Sequence, residues 1–196
     1  MKPTYLINLS GGLDSLYTLW RFLQEFPEDA VLTHHIRIDL STKRNYFERK
    51  AVRAQLDWVK ANGFSHRVSH VETRFGVGSL ATRPYDISLT GLYMGLILSD
   101  QKGKTIHTYI RSSPLEDTER NGQAAISLRR ELQLRLMKVH CKRPIREINF
   151  MEALTKKQAY DQLPEDLKKL WFSCRKPSLE GVICEKCHSC KHNNFK

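Results

Sequence analysis

Several things are missing from this chain, and each absence removes a class of protein. Its longest apolar stretch, Leu89 to Leu98, is interrupted by Thr90, Gly91 and Gly95 and falls well short of the roughly 20 residues a membrane-spanning helix needs. The opening, Met1-Lys2-Pro3-Thr4-Tyr5-Leu6-Ile7, has neither a long apolar segment nor a small-residue cleavage site, so a cytoplasmic protein with no membrane association is expected. No block of five or six consecutive Lys or Arg marks a binding tail, and there is no internal repeat or low-complexity segment. Neither G-x-G-x-x-G nor the Gly-Lys-Ser/Thr of a Walker loop occurs, which removes the main support for dinucleotide and kinase-like readings. Cys141 is the sole cysteine before Cys174. A disulfide scaffold would spread its cysteines through the chain.

What is present fits one globular domain. The 196 residues are 40% hydrophobic and 27% charged, enough apolar material for a real core. Lys and Arg number 32 against 21 Asp and Glu, a net charge of +11, so the surface attracts phosphates, nucleotides or nucleic acid. Sign alone does not choose among them.

The hydrophobic pattern alternates between two periods. Tyr5 to Leu9 reads as a strand, followed by Ser10-Gly11-Gly12 and a helix carrying Leu13, Leu16, Leu19, Trp20 and Leu23. Val31 to Ile38 reads as a second strand, Tyr46 to Ala61 as a helix closed by Asn62-Gly63, His66 to Thr73 as a third strand, Ile87 to Leu98 as a buried helix and Thr105 to Ile110 as a fourth strand. Residues 111 to 123 are polar and irregular, a surface linker or an active-site loop. Ile126, Leu128, Leu132, Leu136 and Val139 form a helical stripe over Ala124 to Val139, flanked by Arg129, Arg130, Arg135 and Lys138 as a solvated face. Short helices follow at Thr155 to Tyr160 and from Pro164 to near Trp171. Strands alternating with helices predict an α/β fold with a parallel sheet flanked by helices. We expect residues 1–150 to form the nucleotide-binding part and 151–196 a helical segment with a metal site in the same unit. His34 and His35, which could serve as ligands or bases, read as packing or surface residues at a strand end.

Between strand and helix, Ser10-Gly11-Gly12-Leu13-Asp14-Ser15 lets backbone N–H groups approach an anion at the positive end of a helix, a geometry that holds phosphate. The string resembles the Ser-Gly-Gly-x-Asp-Ser signature of the PP-loop ATP pyrophosphatases, whose fold is adenine nucleotide alpha-hydrolase-like. The resemblance implies ATP as cofactor, transfer of AMP to a substrate oxygen and release of pyrophosphate. Leu9, Ser10, Gly11, Gly12, Leu13, Asp14 and Ser15 would line the phosphate site, with Asp14 orienting the loop or contacting Mg2+.

Cys174-x9-Cys184-x2-Cys187-x2-Cys190 supplies four thiolates, enough for tetrahedral Zn2+. An iron–sulfur cluster competes, since C-x2-C-x2-C also occurs in ferredoxin-type runs. Four cysteines fill the coordination shell, so the ion is expected to be structural.

Together the two motifs resemble the 7-cyano-7-deazaguanine synthase family. Arg44-x3-Glu48 is similar to that family's Arg-His-x2-Glu stretch, Leu154-Thr155-Lys156-Lys157 to its Thr/Asp-Lys-Ala-Glu helix start, and Trp171-Phe172-Ser173-Cys174 to its Thr-Trp-Ser-Cys approach to the zinc. Arg111 to Asn121 stands where that family carries a Tyr-Pro-Asp-Cys-Arg substrate loop, and Arg83-Pro84-Tyr85-Asp86 replaces its Arg-Asn pair. The resemblance implies a ligase that adenylates the carboxylate of 7-carboxy-7-deazaguanine and lets ammonia displace AMP, giving the amide or the nitrile. Asp14, Ser15, Lys156 and Asp117 are the catalytic candidates, with Arg44 and Glu48 at the cofactor and Arg111 and Glu116 at the substrate. The alternative is a tRNA-modifying, thiolase-like PP-loop enzyme with an iron–sulfur cluster; a nucleotide-binding regulator without catalysis is a third class. Nucleic acid is the less favoured partner, and a homodimer is left open.

Overall fold

Tyr5, Leu6 and Ile7 are apolar on both sides of the pleat, and a strand of that kind is stable only with both faces covered. In the computed structural model, which describes residues 1–39, 43–76, 86–99 and 105–191 (backbone alone for 86–87, 116–126 and 188), these residues form the central strand. The strands are β1 (Tyr5–Asn8), β2 (Val31–Asp39), β3 (Val68–Gly76), β4 (Thr108–Arg111) and β5 (Arg146–Asn149). The helices are α1 (Leu13–Glu25), α2 (Arg44–Ala61), α3 (Asp86–Ser99), α4 (Leu115–His140), α5 (Lys156–Gln162) and α6 (His188–Lys191), with 3-10 turns at Phe64–His66 and Leu167–Lys169. The sheet order is β3-β2-β1-β4-β5, every pairing parallel. The expected α/β class, a parallel sheet flanked by helices, is what forms.

Alternation along β1 divides the core. Tyr5 and Ile7 meet Leu19 and Phe22 of α1 and Val52 and Val59 of α2 on one face. Leu6 meets Met94 and Leu98 of α3 and Met137 of α4 on the other. A third cluster joins Leu13, Leu16 and Tyr17 of α1 to Ala159 of α5 and to Leu163, Leu167 and Trp171. Each such buried large side chain contributes about 1.5–3 kcal/mol. Arg67, buried, donates to the carbonyls of Leu23, Phe26 and Asp29 and so closes the C-terminal end of α1.

Four expectations are corrected. The irregular segment ends at Pro114: α4 starts at Leu115, and Glu116 and Asp117 fall in its first turn, where acidic residues complement the helix dipole. Polarity there marked a helix start and not a loop. The α4 stripe is also turned. Leu128, Leu132 and Val139 are exposed whereas Gln133 and Met137 are buried, because Gln133 Nε2 donates to the Tyr109 hydroxyl at 3.0 Å and Met137 fills the contact with α3. Partner contacts, not side-chain size, set the helix rotation. β5 was missed, since Arg146 and Glu147 hide a short edge strand paired with β4 alone among the described residues. After Pro164 there is only the 3-10 turn Leu167–Lys169.

Candidate nucleotide and metal sites

A 3-2-1-4-5 order reverses direction between β1 and β4, and ligands bind at the carboxyl ends of strands at such a point. Ser10 to Ser15 lies there. The loop is satisfied largely by itself: Ser10 N–H donates to Ser15 Oγ (3.1 Å), Gly12 N–H to Ser10 Oγ (3.3 Å) and Ser15 Oγ–H to the Gly12 carbonyl (3.1 Å), with the two hydroxyls 3.0 Å apart. Gly11 has φ +83, and a Cβ there would come within 2.5 Å of the Glu48 carbonyl, so only glycine fits. No side chain caps α1 at Gly12, which leaves that end to an anion. Leu9 and Leu13 are buried; their side chains anchor the loop in the core.

Lys156, the first residue of α5, reaches across to the loop, and its Nζ lies 3.2 Å from Asp14 Oδ2. The helix start is held by Thr155 and Gln158 in a capping box. The structure thus brings together two catalytic candidates 142 positions apart in sequence.

Two cavities share Asn8, Ser10 and Thr90. The smaller, about 70 Å³, is lined also by His35, Ile36, Ile38, Leu89, Arg44 and Glu48; Arg44 Nε donates to Glu48 Oε1 at 2.7 Å. The larger, about 190 Å³, runs from Asp14 and Ser15 to Tyr109, Arg111, Ser112, Ser113 and Gln133. Its wall is fixed from β5. Asn149 Nδ2 donates to the Ser113 carbonyl (2.9 Å) while its Oδ1 accepts from Ser113 N–H (3.2 Å), and Glu147 pairs with Arg111 at 2.7 Å. Burial pushes the Tyr109 hydroxyl up to about 12, so at neutral pH it stays a protonated donor. Burial also holds His34 near 3 and lowers His35 and His70; these rings are neutral and hold no phosphate by charge. His35 Nδ1 donates to the Leu9 carbonyl at 3.0 Å, bracing the loop from below.

Arg111, expected at the substrate, lines the larger cavity. The side chains of Glu116 and Asp117, and residues 83–85, lie outside the described ones. Asn8, Gln55, Thr90, Tyr109, Gln133 and Asn149 escaped sequence reasoning. They are ordinary polar residues without motif spacing, and only strand order and helix packing gather them.

The four C-terminal sulfurs all lie within 4.8 Å of one another. Cys187 and Cys190 Sγ are 3.4 Å apart and Cys184 and Cys190 Sγ 3.9 Å, while N–H groups of Arg175, Cys184 and Cys187 point at sulfur. Four thiolates at about 2.3 Å from one tetrahedral ion stand about 3.8 Å apart, so the group fits a single ion. A four-iron cube takes one thiolate per iron, which separates its sulfurs by the cube itself. Cys141 is buried against Leu6 and Met137, a core residue.

The tail is tied to the loop. Phe172 N–H donates to the Gly11 carbonyl at 2.9 Å. Buried Gln55 donates through Nε2 to that same carbonyl (3.1 Å) and to the Leu170 carbonyl (2.9 Å). Phe172 packs on Phe47 with ring centroids 5.4 Å apart, and Gly181, at φ +89, sits so close to Phe47 that a Cβ would fall 2.4 Å from the ring.

No family model and no curated protein sequence matches the chain. Among solved structures it is similar to the U34-tRNA thiolase NcsA from Methanococcus maripaludis with its [4Fe-4S] cluster, at a TM-score of 0.55 and 14% identity over 91% of this chain. The chain shares that protein's fold. It spans 63% of the thiolase's length, and no described helix is long and apolar enough to cross a membrane.

Proposed function

We propose that this PP-loop protein is an ATP-dependent carbon–nitrogen ligase that adenylates a carboxylate, that of 7-carboxy-7-deazaguanine, and passes the activated acyl group to ammonia. The observation that carries the reading is the pair of adjoining cavities on the phosphate loop that share Asn8, Ser10 and Thr90, one of mixed lining with Ile36, Ile38 and Leu89 for a nucleoside and one chiefly polar, holding Arg111 for an anionic acceptor. A carboxylate is a poor electrophile until one oxygen becomes a leaving group. Attack of that oxygen on the α-phosphorus of ATP releases pyrophosphate, and ammonia then displaces AMP.

In this reading Ser10, Gly11, Gly12 and Ser15 hold the leaving pyrophosphate at the helix N-terminus. Asp14 would hold Mg2+ with the triphosphate, and Lys156, beside it, stabilises charge developing on the phosphates. Arg44 and Glu48 shape the nucleoside cavity, and Arg111, kept in place by Glu147, orients the acceptor. Asp117 is retained as a contact for the guanine-like N–H groups. Cys174, Cys184, Cys187 and Cys190 hold Zn2+ as a structural ion, supported by their mutual spacing.

The second reading, a thiolase-like tRNA enzyme with an iron–sulfur cluster, draws on the solved neighbour and on the net charge of +11. One experiment separates them: incubation with ATP, ammonia and 7-carboxy-7-deazaguanine, followed by mass spectrometry. AMP, pyrophosphate and an amide or nitrile at position 7 are expected. ADP and phosphate as products, or pyrophosphate release stimulated by tRNA alone from a brown protein with acid-labile sulfide, would overturn the ligase reading.

A further inference from the structure

The Gly11 carbonyl sits at the apex of the phosphate loop and accepts two hydrogen bonds, from Phe172 N–H and from Gln55 Nε2. Gln55 is completely buried and spends its other N–H on Leu170. Cys174, the first sulfur of the metal site and 1% exposed, follows Phe172 by two residues. Trp171, between the two tethers, is buried in the cluster that joins α1 to α5. Whatever holds Cys174 therefore holds residues 170–172, and those residues hold Gly11.

We propose that the four-cysteine site and the phosphate loop are thermodynamically coupled through residues 170–174, with Gln55 as the positioning residue that joins them. With a metal ion on the thiolates, the tether is already ordered and the loop closes on a triphosphate at a smaller entropic cost. Coupling between binding sites is reciprocal, so bound nucleotide tightens the metal site by the same factor. The proposal rests on the reading of Ser10–Ser15 as a nucleotide loop, and it adds a role for the cysteines beyond holding the tail.

The test uses the full chain loaded with zinc. Zinc is competed away by a chromophoric chelator at equilibrium, with and without a saturating non-hydrolysable ATP analogue. The analogue should raise the zinc affinity about fivefold or more, and calorimetry should give the same factor between the analogue's affinities for loaded and stripped protein. Gln55→Met keeps length and all four cysteines but donates no hydrogen bond; it should still bind zinc while the factor falls towards one. Equal zinc affinity with and without analogue overturns the coupling, as does a Gln55→Met protein that keeps the whole factor. Should the stripped chain or Gln55→Met fail to fold, the competition on loaded wild-type protein decides alone. Absence of analogue binding to either form overturns the nucleotide reading itself and the coupling with it, whereas analogue bound equally by both forms overturns the coupling alone.

Discussion

The phosphate loop and the cysteine tail touch at Gly11 and Phe172, yet they are ordered by opposite means. The loop has core residues on both sides, Leu9 and Leu13, and hydrogen bonds among its own serines and backbone. The tail exposes its large apolar side chains, with Leu179 75%, Val182 64% and Ile183 48% exposed, and presses four sulfurs together. Burial in that crowd pushes the Cys190 thiol up to about 12, with its neighbours Cys187, Cys174 and Cys184 adding to the rise. The loop's contacts come from the protein itself, whereas the tail, with its large apolar side chains exposed, offers four sulfurs that a shared cation would draw together in place of their protons.

The largest expected effect is on the tail. Chelation, or Cys187→Ala, should remove the metal proposed for the four cysteines, a structural ion worth on the order of 10 kcal/mol in small zinc modules. Amide exchange over 173–191 should accelerate towards free-chain rates while β1 and β4 stay protected; a tail that keeps its protection without metal would break the contrast. Next is Gly11→Ala, which places a side chain at φ +83 and 2.5 Å from the Glu48 carbonyl. It should cost about 3 kcal/mol in thermal or denaturant unfolding, whereas Lys186→Ala, on the exposed tail, should stay within about 0.5 kcal/mol.

Acid sharpens the comparison. His34 is held near 3 in the fold by burial, against an ordinary 6.5. A depressed histidine pKa means that the unfolded chain binds more protons, so the stability is present above about 6.5 and is lost as pH falls towards 3. His34 alone should account for about 2 kcal/mol by pH 5, and His34→Gln should flatten the acid limb of a stability–pH curve while leaving the pH of metal release unchanged. An unaltered limb would remove His34 from the account. Within the loop, the smaller effect on stability is at Ser15. Ser15→Ala deletes the hydroxyl that joins Ser10 to Gly12 at about 1 kcal/mol, yet pyrophosphate release should fall roughly a hundredfold or more if the loop holds the leaving group. Equal turnover in Ser15→Ala and wild type would take the loop out of the chemistry.

The sequence by itself determined the features that depend on local spacing. Short runs rich in apolar residues placed β1 and β2, period-3.6 stripes placed α1 and α2, and an almost wholly apolar stretch placed α3, because a strand covered on both faces, a helix buried on one side and a helix buried all round impose those patterns. Ser10 to Ser15 was legible as a strand-to-helix turn because such a turn is one short segment, and the cysteine cluster because its members stand at close, regular spacings in the chain. Only the tertiary structure decided the rest. Lys156 meets Asp14 because α5 packs on α1, and Arg111 lines the larger cavity because β4 lies beside β1 with Glu147 and Asn149 on the next strand. Gln133 faces inward in place of Leu132 because a buried phenol, Tyr109, is there to be hydrogen-bonded. Gln55 joins tail to loop across 115 positions. Such contacts leave no period and no motif, because each depends on which strands become neighbours and how the helices on them are turned.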